Sequence, residues 1–165
     1  MKYVSKSMGL SSILLCMFLI ICLPVMAAPL KPGDKAPGFS LKNLQGKTVT
    51  LKSLTDKGHV MLVFWELECV YCYAHIKDFN SLQEKYRNKG FTIAGINFLG
   101  EYADDVGTYA KDNNVKYMLL ADRLNNIDVA ESYKVIGSPT IVLISPEGTV
   151  LSYGYTIPDL SKWIN

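Results

Sequence analysis

The stretch V-M-L-V-F-W-E-L-E-C-V-Y-C-Y-A-H-I-K-D-F, Val60 to Phe79, changes its period in the middle. Val60 to Trp65 is an unbroken apolar run of strand length, the pattern of a strand buried on both faces and therefore central in a sheet. From Val70 onward Cys72, Ile76, Phe79, Leu82 and Tyr86 recur every three or four residues and line one face of a helix. Cys69 and Cys72 stand where strand gives way to helix. In open α/β sheets that carboxyl end of the strand is where ligands gather.

The same strand-then-helix alternation continues on both sides. Upstream, Phe39 to Leu41 and Lys47 to Leu51 flank Asn43-Leu-Gln-Gly46, which has the composition of a hairpin turn, and Ser53 to Lys57 is expected to form one helical turn. Downstream, Lys85, Arg87 and Lys89 suit a helix C-terminus, and Gly90 supplies its left-handed stop. Phe91 to Phe98 reads as a strand, about Tyr102 to Asn113 as a helix, Tyr117 to Ala121 as a short strand, and about Ile127 to Tyr133 as a helix. Thr140 to Ile144 and Val150 to Tyr155 form a hairpin around Ser145-Pro-Glu-Gly148, and Pro158 opens a terminal helix to Ile164. The class is α/β, with a mixed sheet because the last two strands are antiparallel. A chain of 165 residues with 49% apolar content fits one such domain.

Residues 1–27 have a different character. Lys2 and Lys6 precede the apolar run Ile13 to Leu23, and Val25 and Ala27 supply the small residues of a cut after Ala27, the layout of a secretory signal peptide. An uncleaved anchor is the alternative, since Met8 to Val25 gives about 18 mostly apolar residues, near the lower limit for a bilayer span. Cys16 and Cys22 lack the small preceding residues that a lipoprotein cut requires. Either way residues 28–165 form an exported domain, and only Cys69 and Cys72 remain in it. The formal charge of +2 is carried wholly by Lys2 and Lys6, so the remainder is neutral and offers nothing to nucleic acid.

Two cysteines three apart on a helix have Cβ atoms roughly 5–6 Å apart, and a tightened first turn brings them within disulfide reach. Unpaired N–H groups at a helix start favour a thiolate on Cys69, read as the exposed member, whereas Cys72 lies one turn deeper. Cys69 is thus the attacking thiol and Cys72 the resolving one. A static disulfide is the plainest alternative, but its loop is too small to stabilise much. Structural zinc needs about four ligands; only His75 and the distant His59 could join the cysteines, and no metal is expected. Covalent haem needs His directly after the second cysteine, where Tyr73 stands. A copper(I) carrier using the two soft thiolates stays open, as does a half-exposed surface role for His75 against one in which it bonds Cys72. Tyr71 and Tyr73 are candidates for either an apolar rim or simple packing.

The hairpin lead, the V-F-W strand end, C-V-Y-C on a helix start and G-S-P-T (Gly137 to Thr140) before a strand together resemble an exported thioredoxin-fold protein, specifically the TlpA/ResA/CcmG-like thiol-disulfide oxidoreductases. The likeness runs from about Pro32 to the end. It implies a thioredoxin-like three-layer sandwich with a mixed central sheet, an N-terminal β-hairpin and an extra βα insertion. It also implies a Cys69/Cys72 dithiol cycle without bound cofactor, protein disulfide or dithiol substrates, and a periplasmic location with cytochrome c maturation among the roles. By the same resemblance Pro139 is a cis-proline facing the disulfide, exposing Ser138 backbone groups to a substrate strand. The chain departs from the pattern at Glu68, where thioredoxins carry Trp, at Val63, where they carry a buried acid, and at His75, where cytochrome-maturation members often carry Glu. Peroxiredoxins share the fold but need Thr or Ser at the position of Glu66, whose charge would repel a peroxide anion.

Glu66 and Glu68 also bear on direction. Each carboxylate disfavours a Cys69 thiolate by around 1 kcal/mol at surface-like dielectric, which offsets the roughly 0.3–2 kcal/mol from the helix start. The expectation is a Cys69 thiol near the ordinary value of about 8.5, hence a reductant recharged by an outside donor such as a membrane thiol carrier.

Overall fold

The structure, a computed structural model, describes residues 28–164. The signal peptide or anchor expected over residues 1–27 lies outside the described residues. Among those described, no helix is long and apolar enough to cross a membrane.

The hairpin forms from β1 (Ser40–Lys42) and β2 (Thr48–Thr50), with Leu41 opposite Val49. Its turn closes because the Asn43 side chain accepts from the N–H groups of Gln45 (3.1 Å) and Lys47 (2.9 Å). Helix α1 (Leu51–Thr55) begins two residues earlier than the expected Ser53. A reciprocal cap sets that start: Ser53 N–H donates to Thr50 Oγ1 at 3.0 Å and Thr50 N–H to Ser53 Oγ at 3.1 Å.

Strand β3 (His59–Trp65) lies at the centre of a five-stranded sheet, parallel to β4 (Phe91–Asn97) and antiparallel to β6 (Thr140–Ile144). The short β5 (Met118–Leu120) extends the β4 side and β7 (Val150–Gly154) the β6 side, giving the order β5-β4-β3-β6-β7. Alternate residues of β3 enter opposite layers, as the period of two requires. Val60, Leu62 and Phe64 face the hairpin, α1 and α5 (Leu124–Ser132), in a core with Leu41, Leu54 and Tyr133. Met61, Val63 and Trp65 face α3 (Ile76–Tyr86) and α4 (Ala103–Asp112), in a core with Phe79, Tyr86 and Val106. The result is the three-layer sandwich expected, with β5 and α5 as the additional strand and helix before β6.

Two elements differ from the sequence expectation. The helix after the cysteines is broken into α2 (Val70–Ala74) and α3 at His75, whose φ/ψ of −93°/1° leave the helical region. The buried stripe nevertheless continues through Cys72, Ile76, Phe79 and Tyr86. At the other end, the helix expected over Pro158 to Ile164 is only a 3₁₀ turn, Leu160–Lys162, capped by Asp159. So short a segment cannot recover the cost of helix nucleation, and burial of Leu160 and Ile164 holds it in place.

Because β3, β4 and β5 run in parallel and β6 runs against them, the segments 66–69, 98–102, 121–123 and 136–139 emerge at one end of the sheet.

Candidate active site

Strand β3 delivers the chain to that end at Trp65, and α2 starts five residues later at Val70, with Cys69 as its N-cap. The cap is a sulfur: Cys72 N–H donates to Cys69 Sγ at 3.0 Å. Cys69 and Cys72 form a disulfide with an S–S distance of 2.05 Å and a Cα–Cα distance of 5.2 Å. The backbone N–H that binds the sulfur here is placed to stabilise a thiolate once the bond opens.

The contrast in exposure anticipated from the sequence is absent. Cys69 is 7% exposed and Cys72 4%, because both sulfurs pack on the layer containing Trp65, Phe79 and Ile141. Position in the helix, not exposure, separates the two thiols. The exposed members of the motif are Val70 and Tyr71, with Tyr73 beyond them. In the segment before Pro139, Ile136 is the most exposed of the large apolar side chains among the described residues, at 82%.

Glu66 and Ser138 are brought together. The Ser138 hydroxyl donates to Glu66 Oε1 at 2.6 Å, joining the segment before the cysteines to the one before Pro139. Pro139 is buried and the Ser138–Pro139 peptide is cis. Glu68 is exposed and makes no side-chain hydrogen bond or ion pair among the described residues. His75 makes no hydrogen bond to Cys72 among the described residues: its Nδ1 lies 3.0 Å from Asp78 Oδ2, with the side chain 38% exposed. Among the described residues no group of three or more His, Cys, Asp or Glu side chains is placed to hold a metal ion.

A set of polar residues bonded to the loop before Cys69 had no counterpart in the sequence reading. Leu67 N–H, between Glu66 and Glu68, donates to Glu101 Oε1 at 3.1 Å. The other oxygen of Glu101 accepts from the Asn97 side-chain amide, and Asn97 Oδ1 accepts from Glu101 N–H at 3.0 Å. Asn126 completes the set, donating at 2.8 Å to the carbonyls of both Asn97 and Leu120. These asparagines are fully buried, so each needs its partners. A sequence signal existed in Asn97, a polar residue closing the apolar run of β4. The Trp65 ring packs on Tyr109 in a tilted pair, with centroids 4.8 Å apart, and burial, with Tyr73 adding to it, pushes the Tyr109 phenol up.

Comparison with known proteins gives a consistent picture. The profile of the AhpC/TSA family matches residues 32–153. The thiol-disulfide oxidoreductase ResA of Bacillus thuringiensis subsp. konkukian is 32% identical over 119 residues, covering 72% of this chain and 66% of the relative. ResA of Bacillus subtilis is 31% identical, covering 72% and 64%. The chain thus spans just under two thirds of the length of these curated relatives. Among solved structures, the thioredoxin domain of a thiol-disulfide oxidoreductase from Bacteroides vulgatus superposes with a TM-score of 0.75 at 26% identity, covering 82% of this chain and 99% of that one. A putative thiol:disulfide interchange protein DsbE from Chlorobium tepidum gives 0.69 at 29% identity, covering 81% and 92%.

Proposed function

The chain belongs to the AhpC/TSA family, and from that premise we propose that it is an exported thiol-disulfide oxidoreductase acting on protein substrates through Cys69 and Cys72. The observation that carries the proposal is the disulfide at the start of α2, whose first sulfur accepts the N–H of the second cysteine. Thiol-disulfide oxidoreductases among both the sequence relatives and the structural neighbours support the same chemistry.

In the reducing direction the Cys69 thiolate attacks one sulfur of a substrate disulfide, and the other substrate sulfur leaves as a thiolate and takes up a proton. Cys72 then loses its proton and attacks Cys69 Sγ, releasing the substrate as a dithiol and restoring the Cys69–Cys72 bond. Two electrons pass to the substrate, so an outside dithiol must recharge the site; a membrane thiol carrier suits an exported domain. No bound cofactor enters the cycle. The signal peptide or anchor expected over residues 1–27 supports a periplasmic location, and the TlpA/ResA/CcmG-like motifs of the sequence make cytochrome c maturation a candidate setting. A peroxidase role gains nothing from Glu66, whose carboxylate occupies the position where peroxide binding calls for a hydroxyl.

The decisive measurement is a single turnover: protein reduced with dithiothreitol and desalted should reduce the disulfides of insulin and end as the Cys69–Cys72 disulfide. Folded, fully reduced protein that leaves insulin oxidised would refute the proposal.

A further inference from the structure

The register of β3 against β6 ends with Phe64 opposite Thr140. Just before Thr140 stands Pro139, which has no N–H to give, and the backbone ladder stops there. The Ser138 hydroxyl instead donates to Glu66 Oε1 at 2.6 Å, a side-chain bond between the two segments that leave the end of the paired strands. Apart from this bond, segment 136–139 is held at its end by Thr140 Oγ1 donating to the Gly137 carbonyl at 2.6 Å. No backbone hydrogen bond of Ser138 is recorded among the described residues.

We propose that Glu66 is a positioning residue: its carboxylate clasps Ser138 and so fixes segment 136–139 beside the disulfide for the docking of a polypeptide substrate. This rests on the thiol-disulfide exchange proposed above and adds to it a specific role for Glu66. The role is one of hydrogen-bond acceptor. It differs from a purely electrostatic effect on Cys69, which any nearby negative charge would exert.

The two effects separate in an experiment with two probes. Reduced, desalted protein is mixed in single turnover with insulin and, separately, with the small uncharged disulfide 4,4′-dithiodipyridine. The same Cys69 thiolate attacks both, so a change in its reactivity moves both rates together and cancels in their ratio. A change in segment 136–139 lowers the insulin rate selectively. Glu66→Ala and Ser138→Ala should each lower the insulin-to-small-disulfide ratio about tenfold, the size expected for losing a hydrogen bond to a charged group. The double variant should fall no further, since one bond is lost in all three. Glu66→Gln keeps an acceptor oxygen and should hold the ratio near that of the unaltered protein.

A Glu66→Gln ratio as low as that of Glu66→Ala, or a double variant that falls by the product of the single effects, overturns the assignment. Amide hydrogen exchange at Thr140, the first residue of β6, in the oxidised protein provides a readout independent of turnover. Exchange should quicken in Glu66→Ala and Ser138→Ala but not in Glu66→Gln, and equal protection in all four proteins overturns the clasp. Inactivity of the unaltered protein toward both disulfides would instead count against the thiol-exchange reading, while the exchange data still decide the clasp.

Discussion

Cys69 and Cys72 are equally buried, and only Cys69 Sγ sits at the cap position and receives a backbone N–H. Cys69→Ser should therefore abolish disulfide exchange, and Cys72→Ser should attack once and accumulate mixed disulfides, visible as slower bands on a non-reducing gel. Accumulation in Cys69→Ser instead would reverse the roles. Remote from the cysteines, burial holds the His59 imidazole below its ordinary value, with Glu147 pulling weakly the other way. The unfolded chain then binds a proton near the ordinary value of about 6.5 while the fold does not. Stability should fall as pH drops below about 6.5 and level off below the folded value. Melting curves at about pH 7.5 and 5.5 should differ less for His59→Gln than for the unaltered protein; an equal difference would exclude His59 as the cause. At this scale the sequence revealed the cysteine pair, because spacing and helix position are local properties. It could not reveal their equal burial or the Glu66–Ser138 bond, which depend on residues 72 positions apart.

At the scale of elements, the segment between β3 and α2 is held from the side by the end of β4. Glu101 accepts from Leu67 N–H and from Asn97, so Glu101→Ala leaves the buried Asn97 amide short of a partner and frees the loop carrying Glu66 and Glu68. The expected cost is about 1–3 kcal/mol, measured by denaturant unfolding. A loss well below that range would mean that the Asn97 and Leu67 donors find water instead. At the opposite end of the sheet, β3 and β4 start so close together that a Cβ on Gly58, at φ +134°, would lie 1.9 Å from the Gly90 carbonyl oxygen. Gly58→Ala should cost several kcal/mol, since backbone must move to relieve the contact; a change in melting temperature of only a degree or two would show that the strand starts yield easily. Most elements were legible because apolar runs and stripes report which faces are buried. The exceptions have local causes: the Thr50–Ser53 cap set the start of α1, the non-helical His75 divided the long helix, and the C-terminal segment was too short to nucleate one.

For the molecule as a whole, redox state and folding are linked through a cycle of oxidised and reduced, folded and unfolded forms. The difference in unfolding free energy between oxidised and reduced protein equals the difference in potential between the unfolded and folded cysteine pairs, about 1.4 kcal/mol for each 30 mV. Direction of electron flow is therefore readable from stability. Two features of the fold withhold support from the reduced form. Both cysteines are buried, at 7% and 4% exposure, so a thiolate there loses water. The exposed Glu68 carboxylate on the same loop opposes a second negative charge, and against these two stands the single backbone N–H at Cys69 Sγ. Closing so small a loop contributes little by chain entropy, so the sign is set mainly by these native-state effects. The oxidised protein should melt above the reduced protein, by about 2–8 °C for each kcal/mol in a domain of this size. Calorimetry with and without dithiothreitol measures it. The strongest oxidants of this fold class owe their potential to a stabilised reduced form, so a reduced protein that melts higher would reverse the assignment as a reductant. It would also mean that the N–H groups at the start of α2 outweigh both burial and Glu68.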